Sequence, residues 1–142
     1  MKPIYLLIPL FVVGIGLFTA QAAQIEEGNE TVGVEERQQE VTIPEGVDIV
    51  VATIEELKGA IKLDPKNTEK LNKLSNKLNE KWDLIEKKVE DQYPEDYKNI
   101  ERSLYPLIGE ANKKSPDTEK IKKLIPETID KLIKFKEKVT KN

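Results

Sequence analysis

The sequence contains neither cysteine nor histidine. The lack of cysteine excludes disulfide bonds and thiolate metal ligands. The lack of histidine removes the side chain that most often serves as a general base and as a ligand for transition metals. Because few enzymes dispense with both residues, we expect a protein that is not an enzyme.

The sequence has few aromatic residues, and its positive and negative charges are nearly balanced. Aromatic side chains make up 6% of the chain, and 23 basic residues stand against 26 acidic ones. Binding to nucleic acid usually requires a clear basic excess and a platform of aromatic side chains. We therefore expect no nucleic acid partner. No sustained alternation of apolar and polar residues predicts a sheet.

A long apolar run occurs at the N-terminus. The run Ile4–Phe18 follows Lys2 and precedes the small residues Ala20 and Ala22, which is the pattern of a secretory signal peptide. We predict a signal peptide over Met1–Ala22. The alternative is an uncleaved membrane anchor, for which the run is shorter than the roughly 20 residues of a spanning helix. Export would place the protein outside the cell, in the periplasm or at the cell envelope, without a lipid anchor on cysteine.

The next segment, Ala23–Glu45, is acidic, with seven glutamates and one arginine. Large apolar residues are sparse in it, so it cannot bury enough surface to offset the entropy of ordering. We predict a disordered acidic spacer here, and a folded domain over Gly46–Asn142.

Apolar residues in this domain recur at intervals of three and four, which predicts amphipathic helices. The pattern divides into four stripes joined by short connections, and short connections make neighbouring helices antiparallel. The fold class predicted is all-α, as an up-down four-helix bundle. The second helix is predicted to run unbroken from Leu71 to Val89.

Helix boundaries are predicted from proline and capping residues. Asp48 is a candidate N-cap for the first helix, and a short strand at Asp48–Val51 is the alternative. Breaks are expected at Asp64-Pro65, at Tyr93-Pro94 and at Ser115-Pro116-Asp117, because proline suits a first helical turn and restricts the residue before it.

Pro106 and Pro126 interrupt the third and fourth helical patterns. Each proline lacks an N–H and leaves a carbonyl four residues earlier without its usual donor. A simple kink around the core is one interpretation. The others are a cleft formed where two helices are distorted, or a separate helix that begins at Pro126.

An aromatic residue precedes a glutamate by four positions in two places, as Trp82 and Glu86 and as Tyr97 and Glu101. Residues four apart share a helix face. The two glutamates are equally distant from the break at Tyr93-Pro94, so antiparallel helices would bring them level with each other. Two facing carboxylates cannot both ionise in a dry site without a compensating cation.

A metal ion or a lysine could supply that compensation. Carboxylates that project from facing helices form the metal sites of helical bundles, and oxygen ligands suit a hard cation such as Fe³⁺ or Ca²⁺. The predicted metal ligands are Glu86, Glu101, Tyr97 and Glu90. A glutamate at the margin of an apolar stripe that simply pairs with lysine is the alternative.

The segment NEKWDLIEKKVEDQYPEDYKNIERSL resembles the extracytoplasmic helical domain of bacterial FTR-type iron permeases. That domain also pairs a Trp-x-x-[IV]-Glu helix with a Tyr-x-x-Ile-Glu helix. The resemblance covers Leu71–Leu104 well and implies a helical bundle that handles iron at the cell envelope, with Glu86 and Glu101 at the matching glutamates. The chain has no Arg-Glu-x-x-Glu permease motif, so it is expected to be an accessory and not a transporter.

The leading expectation is an exported metal-binding accessory protein. Its cofactor is left unidentified, with iron as the candidate, and its partners would be a metal ion and a membrane or envelope protein. The alternative is a non-catalytic helical module that supports envelope structure or protein interaction.

Overall fold

A computed structural model describes residues 40–141 of the chain. The predicted signal peptide and residues 23–39 of the predicted spacer lie outside these residues. The described part is all-α, as expected, with five helices and no strand. They are α1 (Ile43–Leu63), α2 (Thr68–Asp83), α3 (Glu86–Gln92), α4 (Pro94–Ala111) and α5 (Thr118–Thr140).

Helix α1 begins at Ile43, inside the predicted spacer. Thr42 is its N-cap and forms a capping box with Glu45: the Glu45 N–H donates to Thr42 Oγ1 at 3.4 Å, and the Thr42 N–H donates to Glu45 Oε2 at 3.0 Å. These bonds satisfy amide groups that a helix start leaves without partners. The prediction of Asp48 as N-cap or strand residue was therefore wrong, because Asp48 lies within α1.

The chain just before α1 is held against α3. Lys88 of α3 donates to the carbonyl oxygen of Val41 at 2.8 Å and forms an ion pair with Glu40 at 2.7 Å. The ordered contacts thus begin before Gly46, the predicted start of the domain.

The predicted unbroken helix from Leu71 to Val89 was also wrong, because α2 ends at Asp83 and α3 begins at Glu86. Between them Ile85 leaves helical geometry, with φ −126° and ψ −11°. Its N–H donates to the carbonyl oxygen of Trp82 at 3.0 Å, three residues back.

Packing explains this break, which has no proline. Ile85 is buried against Gly46 of α1, where the Cβ of any larger residue would overlap the Ile85 side chain. The close approach of α1 to Ile85 therefore requires glycine at position 46.

The break at Tyr93-Pro94 is confirmed, with Pro94 as the first residue of α4. Both internal prolines lie within unbroken helices, Pro106 in α4 and Pro126 in α5, so a separate helix starting at Pro126 is wrong. The N-cap of α5 is Asp117, whose side chain accepts from the Lys120 N–H at 3.1 Å.

Two helices, α1 and α4, make most of the contacts between elements. Helix α1 packs on α2 and α5, and α4 packs on α2, α3 and α5. Between them lies one apolar core, with Trp82, Leu57, Leu78, Leu104 and Leu132 fully buried. Within residues 40–141, no helix has the length and apolar character needed to cross a membrane.

Glu110, near the end of α4, bonds to the loop that follows and to the start of α5. Its side chain is 3% exposed and contacts Lys113 at 2.7 Å and Lys120 at 3.0 Å. It also accepts from the backbone N–H of Asp117 at 3.1 Å. These partners, with Lys113 first, lower the pKa of Glu110 to about 2.

Candidate functional site

Three polar side chains follow one face of α4 at intervals of four residues: Tyr97, Glu101 and Tyr105. This spacing stacks them along the helix surface. Opposite them lies Glu86, which is the first residue of α3 because the chain breaks at Leu84 and Ile85. The two helices meet through the short turn at Tyr93.

One oxygen of Glu86 holds both phenol groups. The hydroxyl of Tyr97 donates to Glu86 Oε1 at 3.2 Å, and the hydroxyl of Tyr105 donates to the same oxygen at 2.5 Å. Hydrogen bonds to a carboxylate are stronger than those between neutral groups. Glu86 therefore ties α3 to two turns of α4, with the turn that carries Glu101 between them.

Glu101 lies between the two tyrosines along α4, close to both hydroxyl groups. Its Oε1 is buried and has no hydrogen-bond partner among residues 40–141. A carboxylate oxygen without a partner is costly to bury, because it loses its hydration. Glu101 is nevertheless near enough to influence the titration of both phenols.

The two carboxylates hold the phenols in their neutral form. Hydrogen bonding to the Glu101 carboxylate, followed by burial, raises the pKa of Tyr97 above its usual value. For Tyr105 burial comes first and the carboxylates of Glu86 and Glu101 follow, and together they raise its pKa. Negative charge beside a phenol opposes formation of a phenolate.

Asp83 extends the negative charge towards the end of α2. Burial and then the neighbouring charge of Glu86 raise the pKa of Asp83. Its Oδ2 accepts from the Asn79 side chain at 3.3 Å. The charge of the cluster is thus unbalanced, since none of Asp83, Glu86 and Glu101 forms a salt bridge within residues 40–141.

Trp82 forms the inner wall of the cluster. It is fully buried, and its ring lies nearly parallel to that of Tyr97, with centroids 6.5 Å apart and planes at 14°. Its Nε1 has no hydrogen-bond partner in the part of the chain that the structure describes. The stacked ring fixes the orientation of Tyr97, as offset aromatic pairs do.

The predicted ligands do not all come together. Glu86, Glu101 and Tyr97 lie in one cluster, and the two glutamates are half-buried. Glu90 lies elsewhere, with its exposed carboxylate 3.6 Å from Lys87, because it is on the solvent side of α3. Tyr93, another nearby tyrosine, packs edge-on against Phe135 with ring centroids 5.4 Å apart.

Tyr105 is the member that the sequence analysis missed. It continues the pattern of Tyr97 and Glu101 by another four residues, so the periodicity of α4 could have identified it. It is 39% exposed and gives the cluster an edge open to solvent.

The donor atoms of the cluster are all oxygens, from carboxylates and phenols. Within residues 40–141, no group of three or more histidine, cysteine, aspartate or glutamate side chains is placed to hold a metal ion. Any ligand set here would therefore combine Glu86 and Glu101 with the oxygens of Tyr97 and Tyr105, a set that suits a hard cation.

The four residues that carry the resemblance to iron permeases, Trp82, Glu86, Tyr97 and Glu101, all belong to this cluster. The resemblance depends on their short patterns alone. Comparison of the whole chain with models of known protein families, with curated proteins and with solved structures finds no match.

Proposed function

We propose that this protein is an exported metal-binding accessory of the cell envelope, and that it holds a hard cation, with iron as the candidate, between α3 and α4. The observation that carries the proposal is the unpaired, buried oxygen of Glu101 beside two phenols that already bond Glu86. No lysine neutralises either carboxylate among the described residues.

The electrostatics of the cluster favour a cation. Two carboxylates that lie close together repel each other, and a positive ion between them relieves the repulsion. A cation would supply the missing partner of Glu101 Oε1 and would compete with the phenol protons for the same oxygens. Fe³⁺ prefers such oxygen donors.

Each member has a role in the proposed site. Glu86 and Glu101 are the charged ligands, and Tyr97 and Tyr105 supply phenol oxygens. Trp82 keeps Tyr97 oriented by stacking. The exposed edge at Tyr105 leaves a path by which an ion could enter and leave, as an accessory that receives and delivers metal requires.

The arrangement of the helices is part of the proposal. We infer an up-down four-helix bundle in which α2 and α3 together occupy one position. Support comes from the ring of contacts from α1 to α2, α4, α5 and back to α1. The ion pair of Asp48 with Lys136, at 2.5 Å, joins the start of α1 to the end of α5, as antiparallel neighbours require.

Metal titration of the full chain tests the proposed function. We expect the metal-free protein to bind Fe³⁺, supplied as a weak citrate complex, with visible charge-transfer absorption from a coordinated phenolate. Fe²⁺, Ca²⁺ and Zn²⁺ serve as comparison ions. Glu86→Gln and Glu101→Gln should each lose binding, and Tyr105→Phe should lose the part of the colour that comes from its phenolate.

Glu90→Gln is the matched control, because Glu90 lies on the same side of the Tyr93 turn but is exposed. It should bind metal as the unmodified protein does. No binding of any of the four ions, or equal binding by all variants, would contradict the proposal and favour the alternative of an envelope interaction module.

A further inference from the structure

A second feature lies on the opposite pair of helices, between the C-terminal half of α1 and the N-terminal half of α5. It is a groove of about 750 Å³, within the roughly 300–1,000 Å³ of small-molecule sites. Ile61 and Ile125 are buried at its base, and Ile133 at its far end is 45% exposed. An apolar slot that opens to solvent is thus present, separate from the tyrosine–glutamate cluster.

Pro126 lies in the lining of this groove. Proline has no N–H, so the carbonyl oxygen of Lys122, four residues earlier, lacks its usual helical donor. Both Lys122 and Pro126 line the groove. The proline that interrupts the sequence pattern of α5 therefore lies at the groove, and so does the residue whose carbonyl it leaves without a helical donor.

Positive charge gathers at one end of the groove. Lys62 has no ion-pair partner within residues 40–141, and Lys122 holds an exposed pair with Glu119 at 2.7 Å, which is worth little to stability. The acidic residues of the lining are already neutralised, Glu55 by Lys58 at 3.1 Å and Asp130 by Lys134 at 2.7 Å.

The positive charges of Lys62 and Lys122 lie at the end of the groove that is farther from Ile133, because of how α1 and α5 are aligned. Asp48 near the start of α1 pairs with Lys136 near the end of α5, so the helices are antiparallel and Lys62 lies level with the early part of α5. From Lys122 to Ile133 the groove runs about 16 Å along α5, at 1.5 Å per residue.

We propose that this groove binds a long-chain fatty acid, with the carboxylate at Lys62 and Lys122 and the acyl chain along Ile125 and Ile129 towards Ile133. The ligand matches the groove in shape and charge, because it has one anionic end and a long apolar body. Ile133 also lines a second hollow, together with Val47 and Val51, and a longer chain would extend towards it.

Fluorescence displacement tests the proposal. The full-chain protein is titrated with cis-parinarate below its micelle concentration, and palmitate is then added as competitor. We expect palmitate to displace the probe and hexadecanol, which has the same chain without the charge, to bind at least about tenfold more weakly, the effect of losing about 1.4 kcal/mol.

Two pairs of variants locate the site. Lys62→Glu should weaken palmitate about tenfold, while Lys114→Glu, which reverses an exposed lysine outside the groove, should leave it unchanged. Ile133→Asp should abolish binding. Leu84→Asp is its control, since Leu84 is 44% exposed and lies away from the groove.

The proposal is overturned if palmitate fails to displace the probe, if hexadecanol binds equally well, or if Ile133→Asp binds like the unmodified protein. A dimer that Ile133→Asp dissociates, without palmitate binding, would overturn it in favour of a second copy of the chain. Ile133→Ser replaces the aspartate variant if circular dichroism shows that the latter is unfolded.

Discussion

Replacing Glu101 by glutamine should stabilise the metal-free protein. The buried Oε1 of Glu101 has no hydrogen-bond partner among the described residues, and the carboxylates of Glu101 and Glu86 both lie beside the Tyr105 hydroxyl. Glutamine has the same shape, carries no charge and adds an N–H₂ donor beside acceptor oxygens. The substitution therefore removes a repulsion without leaving a cavity.

The size of the effect follows from the cost of the unpaired group. A buried polar group without a partner costs about 1–3 kcal/mol, and because Glu101 is only half-buried we expect about 1–2 kcal/mol of added stability. In a domain of about 100 residues, each kcal/mol raises Tm by roughly 4–8 °C. Glu86→Gln should have the opposite sign and cost about 1 kcal/mol, because the oxygen that accepts both phenols would lose its charge.

Urea unfolding of the two variants, followed by the fluorescence of Trp82 at pH 7 with a chelator present, measures these differences. Glu90→Gln is the control and should stay within about 0.5 kcal/mol, as exposed substitutions do. If Glu101→Gln were no more stable than Glu90→Gln, the unpaired oxygen would not be costly. If both site variants were stabilised equally, the distinct roles of the two glutamates would be refuted.

Two further predictions concern the fold. The pKa of Glu110 in the folded protein is lowered to about 2, below the ordinary 4.5. Its ionised carboxylate therefore stabilises the fold above about pH 4.5, and this stabilisation is lost as pH falls towards 2. Between pH 7 and 3 the free energy of unfolding in urea should fall more steeply for the unmodified protein than for Glu110→Gln, and an equal fall would contradict this. Gly46→Ala should destabilise the protein by about 1–3 kcal/mol, because the added methyl group overlaps Ile85. Gly59→Ala, whose methyl group meets nothing within 4 Å, should stabilise α1 by up to about 1 kcal/mol. Changes in Tm of the same sign for the two variants, measured by calorimetry, would refute the packing argument.

The helical faces and the break at Pro94 could be predicted because their causes are local. Apolar spacing follows from the pitch of a helix, and proline restricts its own neighbours. The start of α1 was also encoded locally, in the capping box of Thr42 and Glu45. This helix start was missed because Thr42 and Glu45 were assigned to the acidic spacer that precedes the domain.

The break between α2 and α3 could not be predicted in the same way. Its cause is the contact of Ile85 with Gly46, which is distant in sequence. The break determines the site, since it makes Glu86 the first residue of a new helix. Glu86 was expected to face Glu101 from a continuous helix. In the structure Glu86 instead accepts from Tyr97 and Tyr105 as the first residue of the separate helix α3.

Helix α3, which carries Glu86, is short and depends on few contacts of its own. It has seven residues, no side-chain cap at its start and one buried side chain, Val89, whereas Glu101 sits within the 18-residue α4. Short helices depend on tertiary contacts for their stability. We therefore expect local unfolding of α3 to require less free energy than local unfolding of α4. For the same reason we expect Glu86 to separate from the cluster more readily than Glu101, and a cation held by both carboxylates, as proposed above, to be released when Glu86 moves.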